Sequence, residues 1–381
     1  MCVVTVASSL MLLIKVFIVK AKLVHGKRLN STMEFSDGQY FDQLSPINKD
    51  RLQAGLRERG LISWQELNLV KEMEDIKQSD LDNWQKICED KGIDPERVVI
   101  DDNNLNYKWV SNNYKFKATY FPNELYKVLS SLVKPCDNII PETNLNFMAG
   151  NYSISRWRLL EMMWNKGLLT NSKKLFWSAY RSYDLDPISV EQDSLSDEFK
   201  KFMSDNVPRT FCYDRFYNKY PEQLDLGSLE QRYIYDFNNQ DTWIYENSLI
   251  SVVIDTMSNW PNKDEDPSER FKNVYTTPKT FKAIKHKRPF VLAIAKQTNE
   301  LAMLRNLGFE TFDSVWSEEY DQQSFHKRLD HIGDLCYNLS NENITELYHA
   351  TSDICEHNYN VLMETDWIAW YLQELDKQYD I

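Results

Sequence analysis

The sequence predicts an α/β protein with a doubly wound parallel sheet and a helical C-terminal end. Three observations predict this class. The runs Leu249–Ile254 (LISVVI) and Phe290–Ala295 (FVLAIA) are continuously apolar, which is typical of strands buried on both faces of a parallel sheet. Helical patterns with start and stop signals alternate with such runs. From residue 322 to the end the pattern is helical throughout.

The first half of the chain alternates helices with strands. Each predicted helix shows an apolar face, and three of them end at a glycine, Gly60, Gly92 or Gly167. The predicted helices cover 45–60, 79–92, 123–133 and 155–167, and the predicted strands cover 97–100 and 175–180. Residues 181–240 are less regular, and we interpret them as loops and short helices.

The second half gives the clearest pattern. The pattern of residues 249–312 predicts the order β-α-β-α-β, with strands at 249–254, 290–295 and 309–312 and helices at 276–287 and 298–308. Thr277 is predicted to cap the first of these helices, and Pro278 to take its first helical position. Helices follow to the C-terminus, where Trp367, Trp370 and Tyr371 are interpreted as packing residues.

Composition excludes several classes of protein. The chain has 381 residues, of which 42% are hydrophobic, so it can bury substantial cores in two or three domains. It has 10 glycines and contains neither a glycine-rich phosphate loop nor a nucleophile elbow. No motif therefore indicates a P-loop NTPase, a G-x-G-x-x-G dinucleotide site or an α/β-hydrolase. The formal net charge of -13 makes nucleic acid an unexpected partner.

No metal or other cofactor is predicted. The six cysteines and six histidines show no zinc-ligand spacing. Asp184-Leu185-Asp186 matches the D-x-D pattern of a metal motif, but no hydrophobic strand flanks it. We therefore interpret it as a solvated loop.

Residues 1–33 carry five basic residues and no acid, and residues 3–19 form an apolar run interrupted by Lys15. Two interpretations stay open: a membrane anchor, or an extension upstream of a natural start at Met33. We expect a cytoplasmic location, or a membrane-associated one if the anchor is genuine.

Two positions could hold a ligand, because open parallel sheets bind ligands beyond the carboxyl ends of their strands. Asp255 and Thr256 follow LISVVI directly. Thr277 and Lys279 open the next helix, with Lys282 three residues later, and this group would attract a diphosphate. The alternative is an ordinary capped helix with solvated lysines.

A family resemblance joins these stretches. The segments YENSLISVVIDT, YTTPKTFKAIKHKRPFVLAI and NELAMLRNLGFETFDSVWSEEYD resemble the nucleotide-binding domain of GT-B-type glycosyltransferases, especially fucosyltransferase-like and exostosin-like proteins. Residues 151–180 resemble viral and phage relatives of that group. The resemblance implies two Rossmann-like domains with a helical C-terminal tail. It implies an acceptor-side domain (34–235) and a nucleotide-sugar domain (236–340). The extension or possible anchor (1–33) precedes them, and C-terminal helices (341–381) that pack on the body follow.

The resemblance also implies the chemistry: transfer of a sugar from a nucleotide-sugar donor to a glycan or other hydroxyl acceptor. Asn247 and Ser248 match the E-N-S element of the family, and Lys279 matches its lysine near the donor diphosphate. Pro278 stands where the family has a glutamate that contacts the nucleotide sugar, which leaves Asp255 or Glu246 as substitutes.

Further residues complete the predicted site. Arg156 and Arg158 resemble basic positions of the viral relatives, with surface arginines as the alternative. The sequence does not identify the base for the acceptor hydroxyl, and the candidates are Asp101 and Asp102, at the end of a strand. Two alternatives to an enzyme stay open: a catalytically silent module of the same fold, and a membrane-tethered interaction protein.

Overall fold

We analysed a computed structural model of the chain. It describes residues 44, 46–67, 69, 78–101, 107–119, 123–129, 135–136, 140–149, 154–179, 195–206, 241–254, 278–293, 300–323 and 325–381. The predicted N-terminal extension and the apolar run at 3–19 lie outside these residues. No helix in the described part of the chain is long and apolar enough to cross a membrane.

The chain forms a mixed α/β structure with parallel sheets, as the sequence predicts. In chain order the described helices and strands are α1 Pro46–Glu58, β1 Ile62–Ser63, α2 Gln78–Asp90, β2 Val98–Asp101, α3 Tyr107–Asn113, β3 Lys117–Thr119, α4 Asn123–Leu129, β4 Thr143–Ala149, α5 Ile154–Asn165, β5 Leu175–Ala179, α6 Asp197–Asn206, α7 Asp241–Asn247, β6 Ser248–Val253, α8 Pro278–Lys285, β7 Phe290–Leu292, α9 Glu300–Asn306, α10 Phe325–Leu339, α11 Ile344–Glu364 and α12 Trp367–Tyr379. Short 3-10 helices cover Pro95–Arg97 and Glu319–Gln322.

A three-stranded parallel sheet organises the first part of the body, in the order β1-β2-β3. The predicted strand at 97–100 is its central strand, β2. Trp84, on the predicted apolar face of α2, is fully buried and stacks on Trp64 with ring centroids 4.8 Å apart. This aromatic pair belongs to a separate hydrophobic core beside this sheet.

A second parallel sheet has four strands in the order β5-β4-β6-β7. Strands β6 and β7 lie within the predicted runs 249–254 and 290–295 apart from Ser248, and they pair in parallel with Val252 opposite Val291. This confirms the prediction that they are neighbouring parallel strands. Residues 294–295 of the second run lie outside the described residues. Every residue of β6 and β7 is buried, as expected for strands covered on both faces.

One predicted strand is wrong. Residues 309–312 (FETF) form no strand, although Phe309 and Phe312 are both buried. Phe312 packs edge-on against Phe290 at 5.1 Å and stacks on Trp316. Tyr320 lies beside β7, because the Leu292 amide donates a hydrogen bond to its hydroxyl at 3.4 Å. The apolar pattern of this segment therefore arises because the two phenylalanines pack in the core, and not because the segment pairs with a strand.

The four-stranded sheet crosses the predicted domain boundary at residue 235. Strands β4 and β5 precede that residue, β6 and β7 follow it, and β4 pairs directly with β6. The boundary therefore does not separate two sheets. Strand β4 itself was not predicted from the sequence, although it is one of the two inner strands.

The C-terminal helices pack on the body, as predicted. Helix α10 contacts α5, α11 contacts α8, and α12 contacts α1. Trp367 and Tyr371 are buried, which agrees with their interpretation as packing residues. The last turn of α12 reaches β3, where the Tyr379 hydroxyl accepts a hydrogen bond from the Ala118 amide and donates one to the Ala118 carbonyl, both at 2.7 Å.

Candidate functional site

Lys279 lies at the carboxyl end of β6. Helix α8 begins at Pro278, and the Nζ of Lys279 donates a hydrogen bond to the carbonyl of Ile254, the residue after the strand, at 3.0 Å. The side chain is half-buried. An ammonium group is thus held at the edge of the sheet where parallel folds bind ligands.

Arg156 lies at the same edge. Strand β4 ends at Ala149 and leads into α5, so the first turn of α5 lies beyond the carboxyl end of β4, the neighbour of β6. Arg156 is 1% exposed, so it is not the surface arginine of the alternative interpretation, whereas Arg158 is partly exposed. Lys282 is half-buried about one turn further along α8.

The E-N-S residues lie at the opposite edge. Glu246 and Asn247 are exposed at the end of α7, and Ser248 is the first residue of β6. The Ser248 hydroxyl is buried, donates to the Ile244 carbonyl at 2.5 Å and accepts from Asn146 at 2.8 Å. Because β6 has six residues, at about 3.3 Å per residue roughly 20 Å of strand separates its two ends. The structure therefore does not bring Ser248 together with Lys279.

The other predicted residues give no support to the site. Asp102, Asp255, Thr256 and Thr277 lie outside the described residues. Asp101 is the last residue of β2, in the three-stranded sheet. Among the described residues no group of histidine, cysteine, aspartate and glutamate side chains is arranged to hold a metal ion.

Asp321 was not singled out from the sequence. It is 8% exposed, and its carboxylate accepts a hydrogen bond from the backbone amide of Leu301 in the first turn of α9. Since α9 follows β7, Asp321 lies near the carboxyl end of β7, as does Tyr320. It also lines a cleft of about 610 Å³ beside α9.

Burial governs the charge of this carboxylate. Desolvation raises the pKa of Asp321 to about 6, aided by the neighbouring Glu318 carboxylate and opposed by Arg328 and Arg305. Burial also raises the pKa of Glu318, although Arg305 donates a hydrogen bond to it at 2.7 Å. Perturbed carboxylates in a cleft are typical of functional sites. The acidic run Glu318–Asp321 was the one sequence signal for this group.

We expect the Asp321 ionisation to make stability depend on pH. Its pKa in the folded protein exceeds that of an ordinary aspartate, so the contribution of this group to stability falls as the pH rises through about 6. Urea unfolding of the native protein and of Asp321→Asn, measured from about pH 4 to pH 7, should show native stability declining relative to the variant up to about pH 6 and levelling off above it. The exposed Asp330→Asn serves as the control. A difference that stays constant over this range would contradict the assignment.

Comparison with known proteins identifies no relative. No protein-family model matches the chain, and no curated protein and no solved structure matches it either.

Proposed function

We propose that this chain is a glycosyltransferase-like protein that holds the diphosphate of a nucleotide sugar at the carboxyl edge of the four-stranded sheet. The observation that carries the proposal is the position of Lys279, whose ammonium group lies at the end of β6. In this proposal the two parallel sheets correspond to two Rossmann-like halves, and the helices after residue 322 form the tail.

The reaction requires two kinds of group. The acceptor hydroxyl attacks the anomeric carbon, the bond from that carbon to the diphosphate breaks, and the departing nucleoside diphosphate gains negative charge. A cation beside the diphosphate stabilises that charge, and Lys279 would supply it, with Arg156 at the same edge. The hydroxyl proton needs a base.

Asp321 is our candidate for that base. It lies at the carboxyl edge beside β7, and a pKa of about 6 leaves most of it ionised near neutral pH while keeping it a better proton acceptor than an ordinary aspartate. Its position makes it a stronger candidate than Asp101, which belongs to the other sheet.

A catalytically silent module of the same fold is the second candidate. It is favoured by the position of Ser248, which is engaged in bonds between strands, and by the exposure of Glu246 and Asn247 at the opposite edge from Lys279. A site that lacks these three contacts has fewer groups to orient a donor sugar.

Lys279→Ala tests the proposal. We expect the variant to weaken nucleotide-sugar binding by about 10-fold to 150-fold, because a charge-assisted hydrogen bond to phosphate contributes about 1.5–3 kcal/mol. Calorimetric titration with nucleotide sugars measures the affinity, and product analysis separates an enzyme from a silent module.

Two controls sharpen this test. Lys282→Ala, on the same helix, should have a smaller effect, and a nucleoside without phosphates should bind independently of Lys279. The free energy of unfolding of both variants is measured in urea, because Lys279 also donates a hydrogen bond to the Ile254 carbonyl and its loss could destabilise the fold. Unchanged nucleotide-sugar affinity in a destabilised Lys279→Ala variant would show that the residue is structural and would overturn the proposal.

A further inference from the structure

A second concave surface adjoins the cleft of about 610 Å³ that Asp321 lines and shares Val315–Ser317 with it. It is a cleft of about 850 Å³ formed by α10, α11 and the segment Val315–Ser317. Asn144, near the start of β4, donates hydrogen bonds to the carbonyls of Leu339 and Glu342, which belong to the cleft wall. The end of the cleft at Leu339 and Glu342 therefore lies beside the start of β4, at the amino edge of the four-stranded sheet, whereas Lys279 lies at the carboxyl edge.

The lining of this cleft combines carboxylates with an apolar floor. Asp334, Glu342 and Glu346 are exposed at its rim, and Leu335 and Leu347 are buried beneath them. Asp334 forms an ion pair with Lys166 at 2.6 Å. Within the described part of the chain, Glu342 and Glu346 have no ion-pair partner, and no lysine or arginine lines the cleft. The surface is thus complementary to a cation that also carries apolar groups.

Trp316 supplies an independent indication of a ligand. Its side chain is 6% exposed, stacks on Phe312 at 4.9 Å and lines both this cleft and the neighbouring one of about 610 Å³. The indole Nε1–H is buried and has no hydrogen-bond acceptor among the described residues. A buried donor without an acceptor is unfavourable, so a ligand that brings an acceptor oxygen gains by reaching it.

We propose that this cleft binds a basic peptide segment. Lysine or arginine side chains of the peptide pair with Glu342 and Glu346, an apolar side chain lies on Leu335 and Leu347, and a backbone carbonyl accepts the hydrogen bond from Trp316. Because Nε1 is covered in the unbound protein, binding includes a small shift that admits the carbonyl. A polyamine matches the carboxylates but offers no acceptor, which favours a peptide.

Fluorescence anisotropy with a short labelled peptide rich in lysine and leucine tests this proposal. The double variant Glu342→Gln/Glu346→Gln should weaken binding by about 2-fold to 30-fold, since each exposed ion pair contributes modestly. Trp316→Phe should weaken it by about 2-fold to 10-fold, because it removes the indole donor and keeps an aromatic ring. Urea unfolding of this variant measures the stability cost of the buried volume that is lost. The matched control is Asp353→Asn/Glu364→Gln, whose parent residues are exposed on α11 outside the cleft.

Three results would overturn the proposal. The first is equal binding of a peptide in which glutamate replaces lysine. The second is unchanged affinity of the Glu342→Gln/Glu346→Gln variant. The third is displacement of the peptide by spermine at matched charge together with unchanged affinity of Trp316→Phe, which would indicate an amine site without a peptide carbonyl contact. Selective binding of the basic peptide that depends on both the carboxylates and the indole supports the proposal.

Discussion

Replacing Arg328 by leucine should lower the free energy of unfolding by about 3–5 kcal/mol. Arg328 is 2% exposed, and its guanidinium donates to the carbonyls of Tyr320 at 3.0 Å, Asp321 at 2.8 Å and Gln323 at 3.3 Å. Leucine would leave these carbonyls without their donor. It would also remove the cation that opposes the high pKa of Asp321.

Urea unfolding measures this effect, and the neighbouring residue gives the control. Lys327 is exposed on the same turn of α10, so Lys327→Ala should change stability by about 0.5 kcal/mol or less. A loss below about 1 kcal/mol for Arg328→Leu would mean that water or other groups satisfy the three carbonyls equally well.

Replacing Lys285 by methionine should cost about 2–4 kcal/mol. Lys285 is 3% exposed, and its Nζ donates to the Val128 carbonyl at 2.6 Å and to the Leu129 carbonyl at 3.4 Å. These carbonyls lie at the end of α4, where helical carbonyls lack partners within their own helix. Burial lowers the pKa of Lys285, which shows how strongly this ammonium is desolvated.

Lys287→Met is the matched control for Lys285→Met. Lys287 lies two residues away but forms a partly exposed ion pair with Glu356 at 2.5 Å, which should contribute about 1 kcal/mol or less. Thermal and urea unfolding of both variants therefore separate a buried cation at a helix end from a surface ion pair. Equal losses for the two variants would contradict the role assigned to Lys285.

Sequence patterns predicted the strands that carry continuous apolar runs and failed for β4. Runs such as Val98–Ile100 and Leu249–Ile254 are apolar throughout, so local composition identifies them. Strand β4 contains Asn144 and Asn146, both buried. Asn146 bonds Ser248 and Ser251 on the neighbouring strand. Polar residues satisfied by distant partners leave no local pattern, so this inner strand was missed.

The candidate site was predictable only in part. The sequence predicted a helix start beside Lys279, and the helix does begin at Pro278. In the sequence, Ser248 and Asp255 stand on either side of the apolar run LISVVI. A single extended strand cannot bring both of its ends to one edge of a sheet. The sequence itself therefore indicated that these two residues do not share a site. Asp321 depends on tertiary packing against Leu301, which no spacing rule expresses.

The contact between Tyr379 and Ala118 has a consequence for folding of the chain during its synthesis. The two residues are 261 positions apart, so Tyr379 is synthesised long after Ala118. At roughly 5–20 residues per second, about 13–50 seconds pass between their synthesis. During that interval β3 lacks the hydrogen bonds that cover its backbone at Ala118, and uncovered strand edges recruit other chains. The synthesis of Tyr379 thus limits how early this part of the nascent protein is protected from aggregation.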